Sequence, residues 1–272
     1  MNELQKRELY IFDRCIEAIG ALGLRYYMVC GSALGAVKYR GFIPWDDDID
    51  IALPREDYEV FIRRAKDYLP KELFVQCYKT EERFPQLFAK VRDSSTTYIE
   101  KSVAKIDMNH GVFIDVFPLD GYPTADEEIE KLERVKASCL RKLSCCYDLP
   151  RSFKAKLGYR WRRIKGYHKF TRSILEKYTR AISKYSPSTS SIWCNHGNWQ
   201  GKLEYAPREQ YGEGAWMSFE GRRVRVPERY DEYLTQKYGD WRADPPKEEQ
   251  KGHHTCINMR LDMPYYRFMD IR

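Results

Sequence analysis

The chain has 272 residues, 43% of them hydrophobic and 32% charged, which is enough to bury a substantial core and excludes an intrinsically disordered protein. A formal net charge of +7 favours an anionic partner without choosing among a nucleotide, a polyanionic polymer and a membrane surface. No window is long and apolar enough to span a bilayer, residues 1–8 hold no signal-peptide core, and the eight cysteines form no CxxC pair, so we expect a reducing, cytoplasmic setting.

Residues 4–22 read as an amphipathic helix with Leu9, Phe12, Ile16 and Ile19 on one stripe, closed by Gly20 and Gly23. Residues 26–30 form a short apolar strand that runs into Gly31-Ser32, followed by a helix over 33–40 and a loop over 41–44. A strand over 49–53 is broken by Pro54, and a helix over 55–69 follows. Further strands are expected at 73–78, 86–92 and 111–117, so strands alternating with helices predict an α/β fold with a mixed sheet flanked by helices.

The middle of the chain reads as two long helices, 126–147 and 153–185. In the second, Phe153, Leu157, Trp161 and Ile164 recur at helical spacing and Phe170, Ile174, Tyr178 and Ile182 continue it, which predicts a stripe packed on the protein. Its other faces carry Lys154, Lys156, Arg160, Arg162, Arg163, Lys165, Lys169 and Arg172, a basic surface suited to peripheral contact with anionic lipid or a polyanionic acceptor. Residues 186–214, rich in Ser, Gly, Pro and Asn, read as loop. A hairpin is expected at 219–224, a last helix at 227–238, and a polar tail after it. The expectation is a single domain over 1–272, with a helical insertion at about 124–190 and a C-terminal helix and tail at about 227–272.

The chemistry concentrates in Trp45-Asp46-Asp47-Asp48-Ile49-Asp50-Ile51, where four carboxylates fall within five positions. On a strand, Asp48 and Asp50 project to the same face and repel each other unless a cation lies between them. Asp115, inside Val112-Phe113-Ile114-Asp115-Val116-Phe117, supplies a third acid on a second strand, with Ile114 and Val116 turned into the core. Oxygen-rich clusters of this kind hold Mg²⁺ (or Mn²⁺) for phosphoryl transfer, so Asp48, Asp50 and Asp115 are the candidate metal ligands; the alternative is a solvated acidic turn. Asp46 is a candidate proton acceptor or partner of the ligands, and Asp47 is expected to face away. Trp45 either packs beneath the loop or touches ligand.

Gly31 allows close approach of the backbone to a ligand, and the hydroxyl of Ser32 with the amides opening the next helix could hold a phosphate. Lys90 and Arg92, two apart on a strand, share a face; they either bind a pyrophosphate or form a solvated basic edge. The pair His253-His254 in the tail could reach a phosphate, with His253 the candidate. Cys139, Cys145 and Cys146 could form part of a zinc site but lack a clear fourth ligand.

A strand, Gly-Ser, a helix, a strand with Asp-x-Asp and a later strand with a flanked Asp is the pattern of the nucleotidyltransferase superfamily. The stretch from Gly31-Ser32-Ala33-Leu34-Gly35 to Pro44-Trp45-Asp46-Asp47-Asp48-Ile49-Asp50 resembles, more narrowly, the LicD family, and the fukutin-related proteins more distantly. Ala89-Lys90-Val91-Arg92-Asp93 with Thr96-Thr97, the block from Gly111 through Asp115 to Gly121, and Tyr238-Gly239-Asp240-Trp241 are similar to the family's further blocks. The Ser32 to Asp48 spacing exceeds that of simple nucleotidyltransferases, and the insert at 41–45 fits the LicD pattern. Only the helical middle falls outside the resemblance.

The resemblance implies metal-dependent transfer of phosphocholine from CDP-choline, or of a related group from another CDP-activated donor. The acceptor would be a hydroxyl of a cell-surface glycan such as lipopolysaccharide, or a lipid-linked teichoic-acid precursor, and CMP would be released. It implies a cytoplasmic enzyme working at the inner face of the membrane, with no nucleic-acid partner. Ribitol- or glycerol-phosphate transfer, a nucleotidyltransferase releasing pyrophosphate, and a non-catalytic binding protein stay open as alternatives.

Overall fold

The computed structural model describes residues 1–147, 152–197, 201–252 and 254–269. A capping box starts helix α1 (Glu3–Ala21): the Asn2 side chain accepts from the Gln5 N–H, and the Gln5 side chain accepts from the Asn2 N–H. Leu9, Phe12 and Ile19 of the expected stripe are buried and Ile16 is half-buried. Strand β1 (Tyr27–Met28) leads into helix α2 (Cys30–Leu34), which continues as a π-helical turn over Gly35–Tyr39. There follow β2 (Asp50–Pro54), α3 (Arg55–Arg64), β3 (Leu73–Gln76), β4 (Ala89–Asp93), β5 (Thr97–Glu100) and β6 (Val112–Tyr122). The helical middle holds α4 (Asp126–Leu143), α5 (Phe153–Ile164) and α6 (Thr171–Ile182). The chain then forms β7 (Ile192–Cys194), β8 (Tyr205–Pro207), α7 (Arg208–Tyr211), the hairpin of β9 (Ala215–Phe219) and β10 (Arg222–Val226), α8 (Tyr230–Tyr238), β11 (Cys256–Arg260) and α9 (Tyr266–Met269).

The expected mixed α/β sheet is present. Its strands run in the order β1-β2-β6-β4-β3, with β2 and β6 parallel and the other neighbours antiparallel. All eleven residues of β6 are buried, as a strand covered on both faces of the sheet requires. The apolar sides of α1, the sheet, the β9–β10 hairpin and α8 share one core. Arg55 ties the start of α3 to β6: its Nε and Nη2 each lie 2.7 Å from an Asp120 oxygen, a buried bidentate pair.

Three expectations are corrected. The helix expected over 153–185 is two helices, because Gly166 adopts the left-handed conformation at φ +73°, ends α5 and starts a 3-10 turn at Tyr167–Lys169. Residues 186–214 are not loop throughout: β7 pairs with the far half of β6, and β8 pairs with β7. Their three-residue strands draw stability from Trp193 and Ala206 packing into the core, which local composition does not report. The polar tail contains β11, which pairs antiparallel with β5. Among the described residues, Cys139, Cys145 and Cys146 do not come together as a metal-ligand group; Cys139 is packed between α4 and α6.

Candidate active site

The register of the sheet places three functional groups in one row. Asp50 on β2 is the direct partner of Asp115 on β6, and Asp115 is the direct partner of Lys90 on β4. Side chains opposite one another across strands point to the same face, so two acids and a cation lie side by side at strand spacing. The ladder continues one residue beyond β2, where the Ile49 carbonyl accepts from the Asp115 N–H at 2.8 Å, so Asp48 and Asp50 alternate with buried Ile49 and Ile51 as the sequence predicts. Asp48, Asp50, Asp115, Asp46, Lys90, Gly31 and Trp45 all line one cavity of about 640 Å³.

Lys90 Nζ donates to Asp115 Oδ1 at 2.7 Å and lies 3.7 Å from Glu100 Oε1 and 3.3 Å above the Phe113 ring. His254, just before β11, bridges the acids from the far side: Nε2 is 2.9 Å from Asp48 Oδ2 and Nδ1 is 3.3 Å from Glu100 Oε1. Burial opposes its charge, but the bonds to Asp48 and Glu100 raise its pKa to about 11, so it carries a positive charge at neutral pH. Burial would raise Glu100, but Lys90, the His254 hydrogen bond and Arg92 outweigh it and hold the carboxylate well below its usual range.

Asp46, Asp50 and Asp115 behave in the opposite way. Burial, then Asp48 and Asp47, push Asp46 up to about 8, and burial with Asp48, Asp115 and Asp46 push Asp50 well up. Burial also raises Asp115, against the pull of Lys90 and His254. Among the described residues, the cavity wall carries five carboxylates, Asp46, Asp48, Asp50, Glu100 and Asp115, against two basic groups, Lys90 and His254, with Arg92 reaching Glu100 from behind the wall. This excess of buried negative charge on hard oxygen donors fits a divalent cation such as Mg²⁺ or Mn²⁺.

Not every candidate faces the cavity. Ser32 is buried behind the wall, where its hydroxyl accepts from the Asp50 N–H at 2.8 Å; it positions the acid. Arg92 is also behind the wall, and its guanidinium is committed to Gln76, the Gly111 carbonyl (2.7 Å) and Glu100 (2.9 Å). Asp47, expected to face away, lies outside the cavity wall, accepts from the His254 N–H at 3.1 Å and stays close to Asp46 and Asp48. Among the described residues, the three-acid group whose oxygens approach within 4.8 Å is Asp46, Asp47 and Asp48, not Asp48, Asp50 and Asp115; Lys90 is paired with Asp115. His253 lies outside the described residues.

The turn into α2 is shaped for this site. Cys30 sits at φ +51°, a strained setting for a side chain, and its N–H donates to the Tyr233 hydroxyl at 3.1 Å. A Cβ on Gly31 would lie 2.7 Å from Asp46 Oδ2, so only glycine admits that carboxylate. Sequence reading missed Glu100, which no spacing rule links to the acid run, and did not select His254 over its neighbour. It also left the cavity's aromatic residues, Trp45 apart, unchosen: Phe88, Phe117, Tyr147 and Tyr238 join Trp45 in the wall.

Fold and cavity together define an α/β protein with a carboxylate-lined cleft on one face of the sheet, across β2, β6 and β4. Residues 23–137 match the family described as "LicD/FKTN/FKRP, nucleotidyltransferase domain". The chain is 28% identical, over 250 residues, to the lipopolysaccharide cholinephosphotransferase LicD of Haemophilus influenzae, covering 85% of this chain and 87% of that protein. It is 26% identical over 116 residues to the uncharacterized protein RP689 of Rickettsia prowazekii, covering 42% of this chain and 40% of that protein. The matched domain contains Gly31, Ser32, the acid run, Lys90, Arg92 and Asp115.

Proposed function

We propose that the protein is a phosphotransferase that cleaves the pyrophosphate of a CDP-activated donor, CDP-choline, passes phosphocholine to a hydroxyl of a cell-surface glycan, and releases CMP. The observation that carries this reading is the row Asp50, Asp115, Lys90 at the wall of a cavity that also presents five aromatic rings. The similarity to a protein named for lipopolysaccharide and choline phosphate, over most of both chains, supports the headgroup and the acceptor class.

Asp48, Asp50 and Asp115, with Asp46 beside them, would hold Mg²⁺ or Mn²⁺. Once bound there, the ion supplies neutralisation of pyrophosphate charge and alignment for in-line displacement. Lys90 fixes Asp115 and offers its remaining donors to a phosphate oxygen, while His254⁺ fixes Asp48. Asp46, packed against Gly31 at the cavity wall and with its pKa raised into the range of a general base, accepts in its ionised form the proton of the attacking hydroxyl. Among the lining rings of Trp45, Phe88, Phe117, Tyr147 and Tyr238, any that turns its face to the ligand offers cation–π attraction to a quaternary ammonium, each contact worth about 0.5–2 kcal/mol.

The test is to incubate the protein with CDP-choline, CDP-ribitol and CDP-glycerol in the presence of Mg²⁺ or Mn²⁺ and glycan acceptors, and to measure CMP and pyrophosphate. CMP release, highest with CDP-choline and abolished in Asp48→Asn or Asp50→Asn while circular dichroism is unchanged, supports the assignment. Pyrophosphate as the product indicates nucleotidyl transfer instead, and parental turnover in both variants refutes the site.

A further inference from the structure

Helix α5 does not bury its apolar stripe. Helices α4 and α6 pack against each other and against Tyr122 and Cys194 through Leu132, Cys139, Leu143, Leu175 and Tyr178. By contrast, none of residues 155–164 is buried. Leu157 is 70% exposed, Trp161 53% and Ile164 83%, and Phe170 beyond the helix is 57% exposed. At about 100° per residue, the three helical positions fall within about 60° of arc. Arg160 and Lys156 follow on one side of that arc and Lys165 on the other. The sequence holds no Asp or Glu between residues 152 and 175, so no neighbour along this stretch neutralises these cations.

We propose that α5 is a membrane-docking helix: it lies in the headgroup plane of an anionic bilayer, with Leu157, Trp161 and Ile164 at the acyl boundary and Lys156, Arg160, Arg163 and Lys165 on the lipid phosphates. Charge decides the occupant. A second copy of the chain would set this dense positive charge against itself. A soluble polyanion would use the cations and leave the apolar stripe in water. An anionic bilayer alone satisfies both halves of the helix. Among the described residues no helix is long and apolar enough to cross a membrane, so attachment through α5 is peripheral. This inference stands on α5 alone and does not depend on the reaction proposed for the cavity.

The experiment is flotation of the full chain with vesicles of phosphatidylglycerol and phosphatidylethanolamine, or of phosphatidylcholine alone, at low and high salt. The expected result is partition to the anionic vesicles, weakened by salt and reduced at least about tenfold both in Leu157→Ser/Trp161→Ser/Ile164→Ser and in Arg160→Gln/Arg163→Gln/Lys165→Gln. Brominated lipid should quench tryptophan emission of the parent and lose that part of the quenching in Trp161→Phe, which needs no destabilising change. Circular dichroism and sedimentation velocity run alongside. No binding to anionic vesicles, loss only in the charge variant, or a parent that dimerises without lipid and becomes monomeric in the serine variant would each overturn the proposal.

Discussion

Lys90 Nζ lies 2.7 Å from Asp115 Oδ1, with both side chains almost wholly buried and joined across β4 and β6 in direct register. The same ammonium faces Glu100 at 3.7 Å, so one cation restrains two buried acids. Removing it leaves the buried Asp115 carboxylate without its close cation, while Glu100 keeps Arg92 and His254. We therefore expect Lys90→Met to lower the unfolding free energy by about 3–5 kcal/mol, measured by urea denaturation at neutral pH. An unfolding curve that coincides with the parent's would show that Lys90 does not balance this pair.

Gly31 and Asp46 test positioning separately from stability. In Gly31→Ala the new methyl meets the end of the Asp46 side chain, which can swing aside, and not a rigid backbone. The expected outcome is a thermal midpoint close to the parent's with a large loss of CMP release. A variant of parental turnover would remove Asp46 from the chemistry.

His254 holds Asp48 and Glu100 together, while the strand that follows it pairs independently with β5. His254→Ala should keep the fold and reduce CMP release, or the affinity for the activating metal, about 10–100-fold, as loss of a residue orienting metal ligands does. Metal-dependent turnover measured as a titration against Mg²⁺ checks it; an unchanged curve contradicts the positioning role.

Trp45 lines the cavity and offers the ring type that attracts cations best. Trp45→Leu is expected to raise KM for CDP-choline by about 2- to 30-fold and to leave KM for CDP-glycerol, which carries no quaternary ammonium, close to the parent's. An equal rise for both donors would make Trp45 a packing residue.

His196 gives a pH dependence outside the cleft. Its ring lies against Tyr122 and Tyr178, with Nδ1 3.3 Å from the Tyr178 hydroxyl, and burial pushes its pKa down to about 4 from an ordinary 6.5. Between pH 6.5 and 4 the unfolded chain therefore binds a proton that the folded chain refuses, so stability falls as the pH falls through this window. The contribution is on the order of 3 kcal/mol across the window. His196→Phe should flatten that slope in chemical denaturation measured at a series of pH values; an unchanged slope would assign the acid sensitivity to other groups.

Much of the cleft is legible from the chain because strand alternation is a local property. Asp48 and Asp50 bracket Ile49, Asp115 stands between Ile114 and Val116, and Lys90 precedes Val91; in each case the apolar neighbour is wholly buried and the polar residue lines the cavity. Arg92 obeys the same alternation yet serves a different end, because its partners Gln76, Glu100 and the Gly111 carbonyl enclose it. Periodicity reports the side of a strand, not what already occupies that side. The stripe of α5 shows the same limit: its spacing is helical, but spacing cannot say whether a face meets protein or solvent.

The amino-acid order alone determined the first helix, the strands that carry the site, the acid run with Asp115, and the family likeness, since each rests on local patterns of neighbouring residues. Only the tertiary structure decided that Asp50 and Asp115 are register partners, that Lys90 and His254 close the charge around them, and that Trp45, Phe88, Phe117, Tyr147 and Tyr238 are the aromatic residues lining the cleft. Those choices follow from pairings between distant segments, β2 with β6 and β5 with β11, whose hydrogen bonds and buried contacts exist only once the sheets assemble.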